Sequence, residues 1–90
     1  MITLAGFLVC TTEGEAACVR AHLPAHLALT RAEPGCLSFE VTPTADPLVW
    51  QVSETFTSRA AFDAHQTRAA ASPWASVTAG IRRDYTITEG

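Results

Sequence analysis

The chain has 90 residues, of which 48% are apolar and 17% are charged, and its formal net charge is −3. A chain of this size buries only about 60% of its unfolded surface, so we predict a single domain over residues 1–90 that self-associates. All six cations are arginine and the longest basic run is Arg82-Arg83, a charge pattern that argues against nucleic-acid binding.

Membrane and redox signals are also weak. No apolar run is long enough to span a bilayer, and the first residues lack a signal-peptide pattern, so we expect a cytoplasmic protein. Cys10, Cys18 and Cys36 are odd in number and widely spaced. This pattern predicts buried reduced thiols rather than a disulfide framework or a zinc site.

The first predicted elements are a strand over residues 2–10 and a helix. Gly6 inside the strand predicts the close approach of a backbone or a ligand. Thr12 and Glu15 have capping-box spacing, which predicts the start of the helix. A Pro-Gly pair predicts that the helix ends near Ala32.

Two further strands are predicted after that helix. Alternation over residues 36–42 places Leu37, Phe39 and Val41 on one side of the second strand. A third strand over residues 48–56 follows through a hairpin and places Trp50, Val52, Glu54 and Phe56 on one face.

The remaining elements complete the fold class. Ser58 can cap a second helix whose inward stripe carries Phe62 and His65. Pro73 suits the first turn of a short helix, and β-forming residues predict a fourth strand over residues 82–88. The order βαββαβ predicts an α+β, ferredoxin-like domain with a four-stranded antiparallel sheet and helices on one face.

Several motifs together carry a resemblance to a known family. They are Glu33-Pro34-Gly35-Cys36-Leu37, the strand over residues 50–56 with Glu54, Ala64-His65, and Ser72-Pro73-Trp74. In this order they resemble the antibiotic biosynthesis monooxygenase domain family, including its quinol monooxygenase-like members. The resemblance covers nearly the whole chain. It implies a homodimer whose two sheets form a dimeric α/β barrel, with one pocket per chain between sheet and helices.

The resemblance also implies an activity. Some relatives oxygenate quinols or aromatic polyketides without metal or flavin, so the implied protein is a monooxygenase, an oxidoreductase that needs no cofactor and takes a small phenolic or quinol-like substrate. Such chemistry needs a base that titrates near neutral pH beside an apolar cavity. His65 is the candidate base. The alternative is a structural histidine bonded to a backbone carbonyl or to Glu54.

The candidate substrate-binding residues are Phe39, Trp50, Glu54, Phe56 and Trp74. Aromatic residues at strand spacing are also typical of an ordinary core. A buried Glu54 carboxylate needs a partner, for which both Arg83 and His65 are candidates. The alternative function is a non-catalytic dimeric barrel that binds a small hydrophobic metabolite or serves as a scaffold.

Some residues depart from the family pattern. The chain contains no asparagine, whereas the haem-degrading branch relies on one and many quinol-type members carry one in the pocket. Trp74 stands where relatives often have a second histidine. His22 and His26 have i, i+4 spacing with Pro24 between them, which favours two exposed histidines over a metal site.

Overall fold

The computed structural model describes residues 1–90 as four strands and three helices. In chain order the elements are β1 Ile2–Val9, α1 Glu13–Arg31, β2 Cys36–Pro43, β3 Val49–Phe56, α2 Arg59–Ala70, α3 Pro73–Thr78 and β4 Arg82–Glu89. The predicted α+β, ferredoxin-like class is therefore confirmed. No helix is both long enough and apolar enough to cross a membrane.

The sheet is antiparallel throughout, with the strand order β2-β3-β1-β4. We call the face that carries the helices the inner face and the opposite one the outer face. The inner side chains of β1, β2 and β3 are buried, whereas β4 at the edge of the sheet is mostly exposed. Leu4 on β1 lies opposite Glu54 on β3 and Ile87 on β4, so these three side chains share the inner face.

The ends of α1 follow the predicted signals, with one shift. The Thr12 side chain accepts a hydrogen bond from the Glu15 backbone N–H at 3.1 Å. The Glu15 carboxylate, however, accepts from the backbone N–H of Thr11 at 2.7 Å rather than from that of Thr12. At the other end, Gly35 has a φ of +87°, a left-handed conformation that glycine adopts without steric cost.

Gly6 brings two strands unusually close together. A Cβ at this position would lie 2.0 Å from the backbone oxygen of Asp84 on β4. The prediction that Gly6 permits the close approach of a backbone is confirmed.

The start of β2 departs from the predicted alternation. The register with β3 shifts between Cys36 and Ser38, so Leu37 is the extra residue of a β-bulge. Its side chain is 58% exposed, whereas Phe39 and Val41 are buried. The prediction that Leu37 shares their side of the sheet is wrong because the bulge reverses the alternation at that residue.

The outer face is covered by no other element of the chain. On this face Ala5 and Phe7 of the inner strand β1 are exposed, and the residues paired with Phe7 are Gln51 on β3 and Asp84 on β4. Phe7 alone is 42% exposed. An aromatic side chain on an open sheet face is a feature that a second layer would cover.

Candidate functional site

A cavity of about 250 Å³ lies between the inner face of the sheet and the helices. Apolar side chains from β1, β2 and β3 form much of its lining. Five ionisable side chains also line it, namely His26, Glu54, His65, Arg83 and Tyr85. A mostly apolar cavity with a few converging polar groups is the usual form of a small-molecule site.

His65 lies on the inward side of α2 and is 3% exposed. Ser58 fixes the start of this helix by accepting a hydrogen bond from the Ala61 backbone N–H. The ring of Phe56 lies 5.0 Å from that of His65, centroid to centroid, and holds it from the strand side. His65 Nδ1 lies 2.7 Å from Glu33 Oε1, so its hydrogen-bond partner is neither of the two predicted for a structural histidine, a backbone carbonyl or Glu54.

Glu33 fixes the tautomer of His65. Burial raises the pKa of Glu33, but hydrogen bonds from Arg68 and His65 outweigh it, and the net pKa is lower than usual. An ionised carboxylate can only accept, so His65 Nδ1 carries the proton that is donated to it. In neutral His65, Nε2 therefore keeps its lone pair and can act as a base.

Arg68 holds Glu33 in place from α2. Its Nε donates to Glu33 Oε2 at 3.1 Å, and its Nη2 donates to the Thr30 hydroxyl at 2.9 Å. The sequence identified Glu33 only as part of a helix stop. Its contact with His65 spans 32 residues, so no local pattern indicates it.

Glu54 lies on β3 with its side chain on the inner face and is 6% exposed. Its Oε1 lies 3.9 Å from His65 Nε2 and has no hydrogen-bond partner. Burial, reinforced by the negative charge of Glu33, raises the pKa of Glu54 to about 7. Burial therefore favours the neutral carboxylic acid form of Glu54.

Arg83 does not pair with Glu54, which corrects one of the two predicted partners. Its Nη1 donates to the backbone oxygens of Thr78 and Ile81, and its Nη2 donates to the Thr78 hydroxyl. The guanidinium is thus committed to the end of α3. His65 is the predicted partner that lies beside Glu54.

His26 is 5% exposed, so the expectation of an exposed histidine is wrong. Its ring stacks on Trp74 at 4.6 Å between centroids and lies 6.1 Å from the ring of His65. Burial, followed by the positive charges of Arg68 and His65, lowers the pKa of His26 to about 4. The signal was available, because Val19, Leu23, His26 and Thr30 follow the helical spacing of one buried face.

His22 is half-buried and lines a second cavity of about 100 Å³ next to Trp74 and Pro73. No group of three or more His, Cys, Asp or Glu side chains is arranged to hold a metal ion. The i, i+4 histidine pair therefore lacks the further ligands that a zinc site needs.

Three of the five predicted substrate-binding residues line the cavity, namely Phe39, Glu54 and Trp74. Trp50 and Phe56 are buried on the same inner face but lie outside the lining. Phe56 is packed between Phe62 and His65. Tyr85 on β4 is a further aromatic residue in the lining.

The fold and the cavity between its sheet and helices define a small α+β domain with a ferredoxin-like sheet. The family model described as antibiotic biosynthesis monooxygenase matches residues 1–75. The chain therefore belongs to the antibiotic biosynthesis monooxygenase family. No curated protein sequence matches the chain closely enough to count as a relative.

Solved structures share the fold over essentially the whole chain. A Nitrosomonas europaea protein described as an antibiotic biosynthesis monooxygenase has a TM-score of 0.85 at 21% identity, covering 100% of this chain and 98% of that one. SnoaB, a cofactor-independent oxygenase from Streptomyces nogalater, has a TM-score of 0.81 at 13% identity, covering 99% and 91%. A Deinococcus radiodurans protein with the same description as the first has a TM-score of 0.75 at 23% identity, covering 100% and 92%.

Proposed function

We propose that the protein is a cofactor-independent monooxygenase that acts on a small phenolic or quinol-like aromatic compound. The observation that carries the proposal is His65, whose Nε2 keeps a lone pair beside an apolar cavity of about 250 Å³. Family membership supports the same reaction class, as does the shared fold of SnoaB, which is described as a cofactor-independent oxygenase.

In this reaction His65 is the catalytic base. Nε2 takes the proton of a substrate hydroxyl, and the resulting phenolate gives up an electron to dioxygen more readily than the phenol does. The Glu33 carboxylate at 2.7 Å from Nδ1 stabilises the imidazolium that forms. The substrate itself supplies the electrons, one oxygen atom enters the product and the other leaves as water.

The substrate ring would bind among Phe39, Glu54 and Trp74. Two aromatic side chains offer flat apolar contacts, and the Glu54 carboxyl can bond a second polar atom of the ring. Trp50 and Phe56 would act behind this layer by packing the inner face rather than by contact with substrate.

The assembly proposed for this function is a homodimer formed through the outer face of the sheet. Phe7 and Ala5 are apolar side chains exposed on that face, and a second sheet would remove them from water. Light scattering at micromolar concentration should give twice the chain mass. A molar mass of one chain would contradict the proposal.

Oxygen uptake with a panel of quinols and anthrones tests the activity. We expect the His65→Ala variant to lose about 100-fold of the rate of the parent protein, which is the usual contribution of a general base. His22→Ala is the matched control because His22 lies on α1 and does not line the main cavity. Equal rates for His65→Ala and the parent protein would refute a catalytic His65.

A non-catalytic barrel that binds a small hydrophobic metabolite is the second candidate, and the lack of any asparagine favours it. This second function predicts that quinols and anthrones bind to the parent protein and to His65→Ala with similar affinity. Neither the parent protein nor the variant should then consume oxygen. Calorimetric titration beside the oxygen electrode separates the two functions.

A further inference from the structure

The proposed oxygenation needs one base and leaves Glu54 without a role in proton transfer. Glu54 Oε1 is buried, has no hydrogen-bond partner and lines the cavity. A buried carboxyl oxygen without a partner costs free energy, so its retention at this position calls for a functional explanation.

The geometry places this acid beside the base. Glu54 Oε1 lies 3.9 Å from His65 Nε2, and both side chains are more than nine-tenths buried. Glu33 keeps the proton of neutral His65 on Nδ1, so a lone pair and a carboxylic acid face the same small volume.

We propose that the cavity also catalyses keto–enol tautomerisation of small enolisable carbonyl compounds, with His65 and Glu54 as a two-group acid–base pair. This activity goes beyond the proposed oxygenation because it needs no dioxygen. It requires a carbonyl oxygen at Glu54 and the adjacent C–H at His65.

The step is balanced without any co-reactant. His65 Nε2 removes a proton from the carbon next to the carbonyl while the Glu54 carboxylic acid gives its proton to the carbonyl oxygen. The C–H electron pair becomes the C=C bond and the C=O pair moves to oxygen, which yields the neutral enol. The proton on Nε2 then passes across the short gap to the Glu54 carboxylate and resets both groups.

The surroundings suit this chemistry. Phe39, Val52 and Leu4 supply apolar walls around the acid and the base. Exclusion of water strengthens the hydrogen bond from Glu54 to a developing enolate oxygen. The charge that forms on His65 is balanced by Glu33, which Arg68 holds in position.

Anaerobic assays with two probes test the proposal, so that it can fail or succeed separately from oxygenation. The probes are phenylpyruvate, an aromatic α-oxo acid followed by enol absorbance, and acetylacetone, an open diketone followed by deuterium uptake. We expect the parent protein to accelerate both. His65→Gln and Glu54→Gln should each reduce the rate of the parent protein by about 100-fold, the size of a general acid or base contribution.

Glu40→Gln is the matched control, because Glu40 is an exposed carboxylate on β2 that pairs with Arg31. It should keep the rate of the parent protein. If Glu54→Gln does not fold, as judged by circular dichroism, Glu54→Asp retains an ionisable group with a shorter reach and should show an intermediate rate.

Three results would overturn the proposal. One is equal turnover of both probes by the parent protein and the His65 and Glu54 variants. Another is a loss of the tautomerisation rate in His65→Gln while Glu54→Gln keeps the full rate, because His65 would then act as a base without an acid partner. The third is an absence of acceleration by the parent protein with either probe, even if oxygen uptake with quinols is intact.

Discussion

His65 and His26 are two nearly equally buried histidines in one cavity, with rings 6.1 Å apart, yet their surroundings differ. His65 has a carboxylate at 2.7 Å, whereas His26 stacks on Trp74 and leaves Nδ1 without a partner. Burial alone therefore does not make a histidine a base. The partner on the second ring nitrogen decides which one can take a proton from a ligand.

The largest expected effect is on the pH dependence of stability. The pKa of Glu54 rises from its ordinary 4.5 to about 7 on folding, so the folded state binds more protons between these values. The contribution of Glu54 to the free energy of unfolding is fully present below pH 4.5 and is lost as the pH rises through about 7. The pKa of His26 falls from 6.5 to about 4 on folding. Its contribution to the free energy of unfolding is therefore fully present above pH 6.5 and is lost as the pH falls through about 4.

These two contributions oppose each other between about pH 4.5 and 6.5. Relative to the parent protein, Glu54→Gln should gain stability with rising pH, by about 3 kcal/mol across the full interval. His26→Phe should show the opposite trend by a similar amount. Urea unfolding from pH 4.5 to 7.5 measures both differences. Stability curves that stay parallel to that of the parent protein would contradict the assigned protonation states.

A smaller effect should separate the two histidines by sign. His65→Phe removes the hydrogen bond to the Glu33 carboxylate, so we expect a loss of about 2 kcal/mol in the free energy of unfolding. His26→Phe removes an unpartnered buried nitrogen and keeps a ring on Trp74, so we expect a gain of about 1 kcal/mol at pH 7. Denaturant titration at pH 7 provides the test. Equal losses in the free energy of unfolding for His65→Phe and His26→Phe would mean that the difference in hydrogen bonding between the two histidines does not affect stability.

The smallest effect concerns the tautomer of His65. Glu33→Gln keeps the shape of the side chain but removes its charge, so we expect a stability loss of about 1 kcal/mol and a partial return of the ring proton to Nε2. Nitrogen chemical shifts of the His65 ring report the tautomer directly. Glu40→Gln is again the control. An unchanged His65 spectrum in Glu33→Gln would remove Glu33 from the positioning role.

Most of the fold could be predicted because its signals are local. The caps at Thr12 and Ser58 and the turn at Gly35 lie next to the elements they delimit. The bulge at Leu37 could not be predicted, since alternation continues through the sequence while the register with β3 shifts. A bulge is a property of two paired strands, and one strand alone does not specify it.

The candidate site was predictable in part. His65 and Glu54 stand out because each is a polar residue on an apolar stripe. Their organisation depends on Glu33 and Arg68, which lie 35 residues apart and meet only in the folded chain. Glu33 also lies in the turn that Pro34 and Gly35 predict. No sequence pattern therefore indicates that its side chain has a second role.

The turn after α1 therefore sets the distance between the Glu33 carboxylate and the His65 ring as well as reversing the chain. Surface turns ordinarily accept insertions with little penalty. Here one added residue would move the Glu33 carboxylate away from His65 while the apolar core stayed intact. The length of this turn is under a chemical constraint, so relatives with a longer one would keep the architecture and lose the reactive form of the histidine.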